Sequence, residues 1–164
     1  MVGIPLGWVT GNAFEWAFHK YVLHGLGKDK KSFWAFHFHE HHRLARQHAM
    51  GDPGYEASVF HWNAQGKEAA SLVAGAALVA PLFPVAPFFT ATLWYRLWRY
   101  YQVHKRAHVE PGWAKEQLSW HYAHHRGRDQ ELNWCVTNPF FDKLMGTYEP
   151  MPEATAAPAA VLAV

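Results

Sequence analysis

Residues 69–95, AASLVAGAALVAPLFPVAPFFTATLWY, contain no charged side chain. The run is long enough to enter a bilayer, whose hydrocarbon core takes about 20 helical residues to cross. Pro81, Pro84 and Pro87 interrupt its middle. Proline removes a backbone donor and clashes with the preceding turn, so the stretch predicts two apolar helices, about residues 67–82 and 86–109, joined by a tight bend at the far membrane interface. The second helix continues through Trp94, Tyr95, Trp98, Tyr100 and Tyr101, amphipathic rings expected at a membrane–water boundary. Arg96, Arg99, Lys105 and Arg106 share that end with Lys28, Lys30 and Lys31. Positive residues favour the cytoplasm. The expectation is an all-α integral membrane helical bundle with a cytoplasmic cap, in a bacterial inner membrane or the endoplasmic reticulum.

Working outward, residues 1–24 are mostly apolar, but the uncharged part stops at Glu15, short of a full span. Residues 25–32 form a polar, glycine-marked turn. Residues 33–48 read as a helix that Gly51-Asp52-Pro53-Gly54 ends, and residues 115–126 as another. Residues 1–150 are expected to form one domain, and 151–164 a disordered low-complexity tail. No basic n-region or small-residue cleavage site marks the N-terminus, so no secretory signal is expected. Half of the chain is hydrophobic, and 16% is aromatic. The formal charge of +2 is too small to argue for nucleic acid. The single cysteine, Cys135, excludes an intramolecular disulfide framework and a Cys-rich zinc site; it reads as a small packed residue.

Thirteen histidines in 164 residues are the chemical signal. Eleven fall into four groups: His19 and His24; His37, His39, His41 and His42; His104 and His108; His121, His124 and His125. His48 and His61 stand apart and read as surface residues. Both halves of the chain hold a His pair followed by a denser cluster. Neutral imidazole is a metal ligand. Residues four apart share a helix face, so His104 pairs with His108, and His121, His124 and His125 can converge on one site. His19 and His24 are five apart, so the helix must end or bulge, or one ring must reach round. On a regular helix His37 shares a face with His41, His42 flanks it, and His39 points nearly the opposite way. Ten ligands give two ions about five nitrogens each, more than one zinc site takes. Imidazole alone does not choose between iron, zinc, copper and nickel.

These residues resemble the fatty acid hydroxylase/sterol desaturase superfamily. His19 to His24 is similar to its HxxxxH box. Phe36-His37-Phe38-His39-Glu40-His41-His42 resembles its HxxHH box, with Phe38 standing where that pattern places a histidine. His104 to His108 matches HxxxH, His121 to His125 matches HxxHH, and Asn133 to Thr147 resembles the segment that closes many members. The resemblance covers roughly residues 13–147. It implies a membrane-bound non-haem diiron enzyme that uses O2 and electrons from a separate protein to hydroxylate or desaturate a lipid. It implies His19, His24, His41, His42, His104, His108, His121, His124 and His125 as ligands of two Fe2+ ions, for which zinc can substitute on expression. Helix geometry adds His37 as the tenth ligand; an alignment gap would add His39.

Glu15, Glu40, Asp129 and Asp142 are candidates to orient ligand histidines, although ordinary surface or helix-end charges explain each as well. Arg126 and Arg128 suit lipid head groups, an acidic electron donor or plain solvation. The leading expectation is a fatty acyl or sterol-like substrate. The resemblance also extends to a carotenoid hydroxylase branch, which the first box and the small size suit. A non-catalytic membrane metal-binding protein is the alternative of another class. A zinc hydrolase is disfavoured, since no HExxH pattern is present.

Overall fold

The computed structural model describes residues 2–151. The expected tail lies outside them, Met151 apart. Helix α1 (Gly3–Ala17) runs directly into a π-helical segment, Phe18–Leu26. A second π-helical segment, Phe36–His41, leads into α2 (His42–Gln47). The turn that ends it is a 3-10 segment, Pro53–Tyr55, capped by Asp52. Helix α3 (Ala64–Val79) starts at Asn63, whose side chain accepts from Gly66 N at 3.0 Å. Helices α4 (Pro87–Val109), α5 (Pro111–Gln117), α6 (Ser119–Arg126) and α7 (Phe140–Leu144) follow. No β-strand occurs among the described residues; one isolated bridge joins His48 and Gly51.

The proline-marked bend falls where its chemistry dictates. A 3-10 turn over Ala80–Leu82 follows α3, and Pro87 opens α4, where its missing N–H would be unpaired in any case. Among the described residues no helix is long and apolar enough to cross a membrane. Helix α3 has 16 residues, about 24 Å at 1.5 Å per residue. Helix α4 has 23 residues but carries Arg96, Arg99, Lys105 and Arg106. The all-α architecture is as expected; a membrane span does not follow from any single helix. Of the aromatic row, Tyr95 and Trp98 face outward. Trp94 instead packs on Phe83 and donates to Ala76 O at 3.0 Å, and Tyr100 lies against His104.

Helix α1 lies directly on α4 because its contact face is glycine. A Cβ on Gly3 would sit 2.9 Å from Phe89 N, one on Gly7 2.9 Å from Thr92 Cβ, and one on Gly11 3.1 Å from Arg96 Cγ. Small residues four apart let two helix backbones approach this closely. One turn further on, Glu15 meets Arg96 at 2.9 Å in a buried ion pair. Glu15 also accepts from Val136 N at 2.6 Å, Thr137 N at 2.7 Å and Thr137 Oγ1 at 2.7 Å. The pair thus ties α1, α4 and the C-terminal loop together. At the other end of α4, Val103 and Ala107 form a core with Met50, Ala114, Leu118 and Val136. That core seats α5 and α6 beside the last turns of α4.

Candidate metal centre

The two π-helical segments decide where the first histidines go. A π-helix bonds residue i to i+5, which brings positions five apart onto one face. His19 and His24 lie within the first such segment, so neither ring has to reach round. His37 and His42 are also five apart, and their Nε2 atoms lie 3.2 Å from each other. This corrects the expected pairing of His37 with His41, which assumed regular α-winding. His39 turns away and meets Lys28 O at 2.9 Å, so the tenth buried ring is that of His37. His48 is exposed and bonds Leu44 O, and His61 is exposed as well.

Two groups result. His19, His24, His37, His42 and His124 place one nitrogen each within 4.8 Å of one another; His41, His104, His108 and His125 do the same. His121 joins the second group, its Nε2 3.3 Å from that of His108. All ten rings are buried. The three histidines of α6 therefore do not share one site as expected. His124 faces the first group, while His121 and His125 face the second, because α6 is wedged between them. The echo between the halves of the sequence becomes a reciprocal arrangement. Each half builds one group from its own pair and cluster, and contributes one histidine to the other: His41 from the first half, His124 from the second.

The outer nitrogens explain why the inner ones are free. His19 Nδ1 donates to Trp134 O, His124 Nδ1 to Leu132 O at 2.7 Å and His108 Nδ1 to Met50 O at 2.8 Å. His41 Nδ1 meets Asp52 at 2.8 Å, His104 Nδ1 meets Glu68 at 2.6 Å, and His24 Nδ1 meets Glu131 at 3.3 Å. In a neutral imidazole only one nitrogen carries a proton. With Nδ1 protonated in these six rings, their Nε2 atoms present lone pairs to the middle of each group. There the Nε2 atoms of His24 and His42 lie 3.1 Å apart, those of His19 and His37 3.0 Å, and those of His104 and His108 3.2 Å. Nε2 of His41 and both nitrogens of His125 have no partner at all. Converging, buried lone pairs repel unless a cation lies between them, so the donor set fits a metal ion in each group. Burial first, and neighbouring rings second, push the His37, His42, His104, His121 and His125 imidazoles well below their usual range. Burial takes His124 down to about 4. The six rings so shifted are thus neutral near pH 7, the form that binds metal.

None of the four acids expected to orient these rings is in hydrogen-bond contact with one. Glu15 holds the C-terminal loop, Glu40 accepts from Ala64 N at 3.1 Å, and Asp129 accepts from Glu131 N at 2.7 Å. Asp142 accepts from Trp134 N and Cys135 N at 2.8 Å each, and so fixes the Trp134 carbonyl that accepts from His19 Nδ1. The acids that touch histidines are Asp52, Glu68 and Glu131. In the sequence Asp52 reads as part of a helix stop, and nothing in the spacing of Glu68 on α3 ties it to His104. Such partners come from distant segments and leave no periodic trace. Cys135 is fully buried, as expected of a packed residue.

The fatty acid hydroxylase family model matches residues 4–147, most of the chain. The chain belongs to the fatty acid hydroxylase family. No curated protein and no solved structure matches it. The matched region of this family member takes in all ten buried histidines and the loop, Leu132 and Trp134, that orients two of them. Members of the family are typically hydroxylases, and the two histidine groups are each able to hold a metal ion.

Proposed function

We propose that the protein is an O2-dependent diiron oxygenase that hydroxylates a lipid, a fatty acyl chain or a sterol-like molecule, with electrons from a separate protein. The observation that carries this reading is the pair of all-imidazole groups whose nitrogens converge in a buried site. Two iron ions held there would supply O2 reduction and removal of hydrogen from an unactivated C–H bond. The balance is one C–H bond, O2, two electrons and two protons in, and one alcohol and one water out. The protein's own part is placement. Hydrogen bonds from Nδ1 lock the tautomer and direction of His19, His24, His41, His104, His108 and His124. Burial of the rings keeps bulk water from the reaction. No side chain has to act as nucleophile. Selectivity rests on which carbon is held beside the ions.

Membrane association is part of the proposal. The far ends of α1 and α4 meet, with Gly3 against Phe89, beside the bend that joins α3 to α4, and that end is apolar outside as well as inside. Val2 is 79% exposed, Leu78 81%, Val85 81% and Phe88 56%. From Pro87 to His104 the helix rises about 25 Å, close to the depth of a hydrocarbon core. A bundle inserted at that end would hold the histidines at the interface, within reach of a lipid. A pocket of about 350 Å³ lined by Phe38, His39, His42, Arg43 and Arg46 opens beside the first group. Its basic rim suits an acidic electron donor.

The test is lipid profiling of cells with and without the protein under 18O2. A new hydroxyl carrying one 18O is expected on a fatty acyl or sterol-like lipid. Label on a carotenoid ring would move the substrate to that class. No labelled lipid would overturn the oxygenase.

A further inference from the structure

The two histidine groups differ in what stands behind their rings. In the second group, two ligands are backed by buried carboxylates. His41 Nδ1 meets Asp52 Oδ2 at 2.8 Å, with the side chains 1% and 0% exposed. Asp52 is itself held by Gly54 N at 2.8 Å on its other oxygen. His104 Nδ1 meets Glu68 Oε2 at 2.6 Å, and the same oxygen accepts from Tyr55 OH at 2.7 Å. In the first group, His19 and His124 are backed by the neutral carbonyls of Trp134 and Leu132. Its one acid, Glu131, is 46% exposed and is shared with Lys28 Nζ at 2.8 Å.

We infer that these are unequal metal sites, and that the second group, backed by Asp52 and Glu68, binds its ion first and more tightly. This rests on the reading of the histidine groups as a metal centre. Two arguments support it. An imidazole that donates to a carboxylate is a more basic ligand than one that donates to a carbonyl. A divalent ion among neutral rings also keeps its whole charge in a poorly solvated place, whereas two buried carboxylates neutralise it. In the first group only the screened Glu131 is available. That group also borders the solvent-facing pocket through His42, which gives its ion a way out. Asp52 and Glu68 are positioning residues: they act through His41 and His104.

The experiment titrates the chelator-stripped 164-residue chain in detergent with Co2+ against a chromophoric chelator. Wild type is expected to show two classes of site at least about 10-fold apart, the size of effect that such supporting partners have. Asp52→Asn and Glu68→Gln are each expected to weaken the tight class by about 10- to 100-fold and to leave the weak class in place. The retained weak class shows that the variant is folded, and the two variants test the idea independently. His37→Ala is expected to remove the weak class alone, and Glu131→Gln to leave the tight class unchanged. Equal affinities in wild type, loss of both classes together in the Asp52 and Glu68 variants, or loss of the tight class in His37→Ala would each overturn the inference. A protein that takes up no Co2+ would instead overturn the metal centre itself.

Discussion

His42→Ala is expected to abolish hydroxylation and to reduce the bound metal from two ions to one. The His42 Nε2 lies 3.1 Å from that of His24 and 3.2 Å from those of His37 and His124. No other side chain of the first group faces three partners this closely, so removing it opens the centre of that group. The loss in activity should exceed the about 10- to 100-fold that loss of a supporting partner costs. The second group lacks only a neighbour, since its own ligands come from other positions, and should keep its ion. His39→Ala is the matched control. It removes a histidine of the same box, but one that bonds Lys28 O, and both metal content and activity should survive. Metal analysis and product formation on the two variants check this. Two ions retained in His42→Ala, or loss of metal in His39→Ala, would show that the grouping is wrong.

Glu15→Ala is expected to be the most destabilising single change away from the histidines. It leaves Arg96 buried without its partner and frees three donors, Val136 N, Thr137 N and Thr137 Oγ1. Breaking a buried ion pair by removing one partner costs about 3–5 kcal/mol, and at about 2–4 °C per kcal/mol the midpoint should fall by roughly 10 °C. The effect should reach the metal centre, because the loop that Glu15 anchors carries the Trp134 carbonyl that holds His19. Thermal unfolding of wild type and variant in the same detergent measures it. A shift under about 2 °C would mean that the C-terminal loop is held by other contacts.

Much of this was legible in the chain, for identifiable reasons. The charge-free run and its prolines mark α3, the bend and α4, because proline chemistry is local. The i, i+4 spacing of His104 and His108 sets their common face, because α4 is regular there. The winding of the first two boxes was not legible as such, because a π-helix differs from an α-helix by one residue per hydrogen bond. The five-residue step from His19 to His24 was the available signal, and the same step separates His37 from His42. The exchange of His41 and His124 between groups depends on how α6 enters between the segments. No spacing within either box encodes that. Asp52 and Glu68 were hidden for a related reason: each meets its histidine only after the 3-10 turn and α3 pack against α4.

The iron content of purified protein reconstituted anaerobically with Fe2+ tests the site for two ions. The expected result is two irons per chain, falling to one in His42→Ala. One iron or none in the wild type, with the protein folded, would contradict it.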